Sequence, residues 1–189
     1  TSSNTVAGYA SCGAGIGPTL LDQVVGVVKA YTTRVGNGPF PTELLDSFGD
    51  NLRQIGNEYG ATTGRNRRCG WFDAPVVRKA AVVNGLTHLA ITKLDVLDTF
   101  DTIKICTAYK CDGSELDLIP NQLSKVGRCE PVYEEMPGWK QDTSACKSWD
   151  ELPENAKKYL NRLSELVNVK IGMISVGARR DQSIIIDME

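Results

Sequence analysis

LTHLAITKLD, residues 86–95, is an apolar run that ends in a charged tip. Leu86, Leu89, Ala90 and Ile91 give it the character of a short buried strand. The stretch before it reads as a helix. Asp73 stands near the N-cap and Pro75 in the first turn, and VVRKAAVVN runs on to Gly85, a C-terminal stop. Further out, VVGVVKAYTTRV (24–35) is β-branched and reads as a buried strand. IKICTAYKC (103–111) is a third strand, closed by the turn pair Asp112-Gly113. LPENAKKYLNRLSELVNV (152–169) is an amphipathic helix: Ala156, Tyr159, Leu160, Leu163, Leu166 and Val167 recur at steps of three and four. IGMISVG (171–177) and SIIIDM (183–188) finish as strands.

The remaining segments are less regular. SCGAGIG (11–17) reads as a flexible turn feeding a short helix at 18–23. It lacks the GxxxxGK[ST] pattern of a phosphate loop. GNGPFPTE (36–43) is a loop whose Pro41-Thr42-Glu43 leads into a helix over 43–54. Residues 114–148 are turn-rich, with one strand at 130–135. Helices alternating with apolar strands predict an α/β fold: a mostly parallel sheet flanked by helices, with a small antiparallel section near 103–135. No repeat, low-complexity tract or linker divides residues 1–189, so one domain is expected.

Bulk properties exclude several classes. With 189 residues, 41% hydrophobic and 23% charged, the chain can build one sizeable core. A net charge of -2 and a pI near 5.5 argue against nucleic acid as a partner. No run of 18 apolar residues is long enough to span a membrane. The start, Thr-Ser-Ser-Asn, has neither an initiator Met nor a signal peptide, as expected of a processed chain or a piece of a longer one. Six cysteines at irregular spacings, without a CxxC pair and with a single histidine, fit reduced thiols in a cytoplasmic protein better than disulfides or zinc.

Two stretches carry candidate chemistry. The first is the strand tip ITKLD (91–95). Strand ends in open α/β sheets are where ligands sit. Guanine offers two adjacent donors, N1–H and the 2-amino group, and one carboxylate, Asp95, can accept both. The stem of Lys93 can lie over the purine face. Adenine would leave that carboxylate unpaired, a difference on the order of a hundredfold. The alternative is an exposed polar loop. The second stretch is TTGRNRRCGW (62–71), with Arg65, Arg67 and Arg68 in four positions. It reads as a solvated charge cluster, as a phosphate or nucleic-acid patch, or as a seat for a small doubly acidic molecule. Thr62 and Thr63 add hydroxyls, Gly64 permits close backbone approach, and arginine grips carboxylates in bidentate fashion.

Five blocks then carry a resemblance: TSSNTVAG (1–8), KAYTTRVGNGPFPTEL (29–44), GNEYGATTGRNRRCGWFD (56–73), LAITKLDVLD (89–98) and YEEMPGW (133–139). In this order they resemble the C-terminal part of adenylosuccinate synthetases, and ISVGARRDQSIII (174–186) fits the same family's end more loosely. The resemblance implies a portion of the P-loop NTPase-like fold of that family. It also implies cytoplasmic purine biosynthesis in the AMP branch: GTP-dependent ligation of L-aspartate to IMP through 6-phosphoryl-IMP, with magnesium, in a homodimer.

By the same resemblance Lys93, Asp95, Ser175, Gly177 and Arg67 would bind GTP. Thr1, Val35, Gly36 and Arg65 would bind IMP, and Thr62, Thr63, Gly64, Arg65 and Arg67 would bind aspartate. Val176, Ala178 and Asn66 depart from the commoner family pattern. The family's phosphate loop, catalytic aspartate and histidine, and magnesium ligands fall outside this sequence, so no catalytic or metal-ligating residue is expected here. His88, in an apolar strand, reads as a packed strand-end histidine. The other class open to the TKLD tip is a non-catalytic guanine-nucleotide-binding module, which leaves the arginines unexplained.

Overall fold

The structure, a computed structural model, describes residues 4–186. In chain order it contains α1 (Gly8–Ala14), a 3-10 turn (Pro18–Leu20), β1 (Val25–Lys29), β2 (Thr32–Arg34), α2 (Ser47–Ile55), β3 (Arg68–Gly70), β4 (Phe72–Asp73) and α3 (Ala74–Asn84). Next come β5 (His88–Thr92), a second 3-10 turn (Leu94–Leu97), β6 (Thr102–Cys111), β7 (Ser114–Leu116), α4 (Leu123–Val126) and β8 (Glu130–Pro137). The described chain closes with α5 (Glu154–Val167), β9 (Lys170–Ser175) and β10 (Ser183–Ile185).

The fold is the mixed α/β arrangement that the alternation predicts. One sheet runs β1-β5-β9-β10, with the first three strands parallel and β10 antiparallel. A second sheet is built on the long strand β6, which pairs with β4 in parallel and with β7 and β8 antiparallel. β2 and β3 form a separate antiparallel ribbon. The register of the first sheet positions the candidate ligand groups. Lys29 lies opposite Thr92, and Ile91 opposite Ile174, so the C-terminal ends of β1, β5 and β9 lie along one edge.

Helix α3 is set by its first residues. Asp73 Oδ1 accepts from the Val76 amide at 3.2 Å, Pro75 occupies the first turn, and Gly85 ends the helix in left-handed geometry. Asp73 is buried and also accepts from the Tyr109 hydroxyl, which ties α3 to β6; burial pushes its carboxyl up. Helix α5 buries the stripe Ala156, Tyr159, Leu160, Leu163 and Val167. Its Tyr159 hydroxyl, fully buried, donates to the Ala30 carbonyl just beyond β1 at 2.6 Å. Arg162 clasps Glu134 of β8 through Nε and Nη2. Arg78 of α3 donates to the Leu166 carbonyl at the end of α5 at 2.7 Å, so the two helices are joined by a cap as well as by packing.

Several local expectations change. Residues 11–14 are not a flexible turn but the end of α1, and the helix expected at 18–23 is one 3-10 turn. The strand at 24–35 breaks at Ala30-Tyr31, where both side chains enter the core, and resumes as β2. The helix at 43–54 starts later, at Ser47, because Asp46 caps it by accepting from the Phe48 and Gly49 amides at 3.1 and 3.3 Å. Residues 114–148 hold β7 and α4 in addition to β8. Leu118, Leu123 and the many polar residues there give no periodic signal. The strand expected at 183–188 covers Ser183–Ile185, and its last two positions lie outside the described residues. The helix at 152–169 and the strand at 103–111 match α5 and β6 to within two residues.

Candidate ligand-binding site

The site begins where β5 stops. Lys93 takes a left-handed conformation, φ 59 and ψ 39, which costs a non-glycine residue about 1 kcal/mol and turns the chain sharply. The turn sends the two charged side chains of TKLD to different places. Asp95 enters the Leu94–Leu97 turn and lines a cleft of about 440 Å³ with Asp98, Thr99, Lys140, Gln141 and Asp142. Its Oδ1 is buried without a hydrogen-bond partner among the described residues. Burial pushes the Asp95 carboxyl up. A buried, unmet acceptor is expensive in a folded protein unless something else meets it.

Asp98 supports that cleft from beneath. It accepts from Trp139 Nε1 at 2.6 Å, from the Thr143 amide at 2.7 Å and from the Thr143 hydroxyl at 3.0 Å. These bonds fix the loop 140–143, which forms the far wall. Burial also pushes the Asp98 carboxyl up, against the three donors.

Lys93 goes the other way. Its Nζ donates to the Gly56 carbonyl and to Glu58 Oε1, the latter at 3.0 Å. Glu58 is buried to 0% side-chain exposure and is a hub. It also accepts from Lys29 Nζ at 2.7 Å, from the Tyr31 hydroxyl at 2.6 Å and from Arg67 Nη1 at 2.9 Å. Burial opposes the charged form of Glu58, but the four donors outweigh it and hold its carboxyl at about 2. Gly56 is required there: a Cβ would collide with the Tyr31 hydroxyl and the Leu52 carbonyl. Burial lowers the Lys29 ammonium, with Glu58 pulling the other way.

The arginine loop is a tight bracket. Gly60 and Arg65 close it, Gly60 N–H donating to the Arg65 carbonyl at 2.8 Å, and Gly64 N–H returns to Gly60 at 2.8 Å. Gly64 sits at φ 63, a conformation that admits glycine at little cost. Thr62, Thr63, Gly64 and Arg65 are exposed, and the Thr63 hydroxyl accepts from the Arg65 amide at 3.4 Å. The arginines divide their work. Arg65 is exposed. Arg67 is held by Glu58 while its Nε is buried without a partner among the described residues. Arg68 is structural: it forks onto Glu43 at 2.7 and 2.5 Å and donates to the carbonyls of Gly36 and Gly38 at 3.2 and 2.8 Å.

Through Glu58, therefore, the structure brings Lys93 and Arg67 together. Arg68 also holds the loop of Val35 and Gly36 through the Gly36 carbonyl, and Val35 is 72% exposed. Ser175 ends β9 on the same sheet edge, and its hydroxyl donates to the Gly177 carbonyl at 2.8 Å. The arginine loop does not line the Asp95 cleft. Thr1 lies outside the described residues. His88 is at the other end of β5, buried, with Nδ1 3.0 Å from the Thr87 hydroxyl. Glu58, Tyr31, Lys29 and the Asp98–Trp139–Thr143 cluster were not singled out by motif. The one signal for Glu58 is a single acid just ahead of a dense run of arginines.

An open, mostly parallel sheet with Lys93 and Asp95 just beyond a central strand is of the α/β class, in which ligands sit at the C-terminal strand edge. Comparison with known proteins narrows this. The adenylosuccinate synthetase family model matches residues 1–184. An adenylosuccinate synthetase of Trichlorobacter lovleyi is 60% identical over 186 residues, 98% of this chain and 43% of that protein. One of Picosynechococcus is 58% identical over 187 residues, 99% of this chain and 42% of that protein. The structure of fully ligated adenylosuccinate synthetase from Plasmodium falciparum superposes with a TM-score of 0.94 at 43% identity, covering 99% of this chain and 45% of that one. The chain belongs to the adenylosuccinate synthetase family, and it spans less than half the length of the curated relatives it matches.

Proposed function

We propose that the protein carrying these residues ligates L-aspartate to IMP at the expense of GTP, giving adenylosuccinate, GDP and phosphate. The observation that carries the proposal is Asp95: a buried carboxylate oxygen without a hydrogen-bond partner among the described residues, beside a cleft, at the C-terminal end of a central strand. Guanine, with its adjacent N1–H and 2-amino donors, is the base that would meet the Asp95 carboxylate, including that oxygen. The Lys93 side chain leaves the Asp95 cleft for Glu58, so it would meet the base only through its aliphatic stem, and Ser175 and Gly177 follow at the end of β9 on the same sheet edge. Arg65 and Arg67, with Thr62, Thr63 and the Gly64 backbone, seat the two carboxylates of aspartate, and Arg65 also reaches IMP beside Val35 and Gly36.

These residues bind and orient. Among the described residues no three His, Cys, Asp or Glu side chains are grouped to hold a metal ion, so no step is assigned to magnesium here. Its ligands and the phosphoryl-transfer groups are expected in the remainder of a family-length protein, which would act as a cytoplasmic homodimer. For the described residues, no helix is long and apolar enough to cross a membrane.

Steady-state turnover of the full-length protein tests the proposal. Adenylosuccinate should form only when GTP, IMP and aspartate are all present, and residues 1–189 alone should form none. Binding of GTP without any response to IMP or aspartate would instead support a non-catalytic guanine-nucleotide module.

A further inference from the structure

We propose that Glu58 is a positioning residue that ties the base-reading strand tip to the loop for the acidic second substrate. The proposal deepens the function just given and rests on it. Glu58 Oε1 receives Lys93, which leads into Asp95, and also Lys29 and Tyr31; Oε2 receives Arg67 of the loop. The backbone repeats the tie, because the Arg67 amide donates to the Glu58 carbonyl at 3.0 Å. One buried anion thus holds three cations that reach it from three chain segments. The cluster keeps a surplus of positive charge beside exposed Arg65. Two features separate this from an ordinary buried ion pair. Each of the two substrate-facing segments hangs on its own oxygen of one carboxylate. Lys93 also sits in a left-handed conformation, which persists only where the surroundings enforce it.

Nothing in the geometry gives Glu58 contact with a reacting atom. It acts through Lys93 and Arg67. Loss of its charge should release both segments together, whereas loss of a merely stabilising ion pair should reduce the amount of folded protein and leave the remainder normal. Glu43, which grips Arg68 in a comparable pair within the same region, supplies the comparison.

The test uses the full-length protein as wild type, Glu58→Gln, Glu58→Asp and Glu43→Gln. Kinetics come first: in Glu58→Gln the KM values for GTP and for aspartate should rise together, each by roughly tenfold, as expected for loss of a hydrogen bond to a charged group. Glu58→Asp should recover part of both. Glu43→Gln should not raise the two in concert. Acylation of lysines by an uncharged amine-reactive ester, whose alcohol leaves as the amide forms, is read by mass spectrometry; it comes second and needs no assumption about substrates. Lys93 and Lys29 should label severalfold faster in Glu58→Gln than in wild type or Glu43→Gln. Unchanged labelling of Lys93 overturns the hub, whatever the protein's substrates are. Faster labelling with KM values within twofold of wild type overturns the tie to specificity. If the wild-type full-length protein itself makes no adenylosuccinate, faster labelling of Glu58→Gln leaves Glu58 as a structural anchor only, which refutes the proposed function and overturns this proposal with it.

Discussion

At the residue scale, the charged groups are arranged by what each is already bonded to. Arg68 is saturated by Glu43 and two carbonyls, Arg67 is half-engaged, and Arg65 is free for a ligand. Arg65→Leu should therefore raise the KM for aspartate by roughly tenfold or more, and by much more than the KM for GTP. The reverse order, measured by steady-state kinetics, would make the loop a phosphate seat. Glu58 gives a second expectation. Its carboxyl is held at about 2, below the ordinary 4.5. A depressed folded value contributes stability that is fully present above 4.5 and is lost as pH falls through about 2. Unfolding free energies from urea titration of wild type against Glu58→Gln should differ near neutrality by a few kcal/mol and converge over that window. A constant difference down to pH 2 would show that the charge is not what stabilises. In the sequence, Asp95 and the arginine loop were legible because a strand tip and a charge cluster are local patterns. Glu58 was not, since its four donors come from positions 29, 31, 67 and 93 and meet only in the fold.

At the element scale, strong periodicity and capping chemistry made α3, β6 and α5 readable. Asp73, Pro75 and Gly85 mark α3, and the stripe through Tyr159 and Leu163 marks α5. The break between β1 and β2 was not readable, because Ala30 and Tyr31 look like continuing strand and are instead drawn into the core. The Tyr159 hydroxyl bond to the Ala30 carbonyl fixes that break. Tyr159→Phe leaves a buried carbonyl unmet and should lower stability by about 1–3 kcal/mol. Because Ala30 lies between Lys29 and Tyr31, both ligands of Glu58, the same variant should also weaken substrate binding modestly. Thermal unfolding with parallel KM measurements checks both, and an unchanged melting temperature would remove Tyr159 as the fastener.

At the scale of the whole molecule, three parallel strands end along one edge, and the candidate ligand groups lie along that edge and in the two loops fastened to it. The remaining requirement is that the edge reads guanine. Asp95→Asn in the full-length protein tests this most directly. An asparagine amide keeps one acceptor for N1–H and turns the other acceptor into a donor, which suits the 2-oxo group of xanthine and clashes with the 2-amino group of guanine. Turnover with IMP and aspartate should fall on the order of a hundredfold with GTP, as expected for an unmatched buried polar group, and should be restored with xanthosine triphosphate. Equal use of GTP by wild type and Asp95→Asn, with no gain for xanthosine triphosphate, would contradict the account.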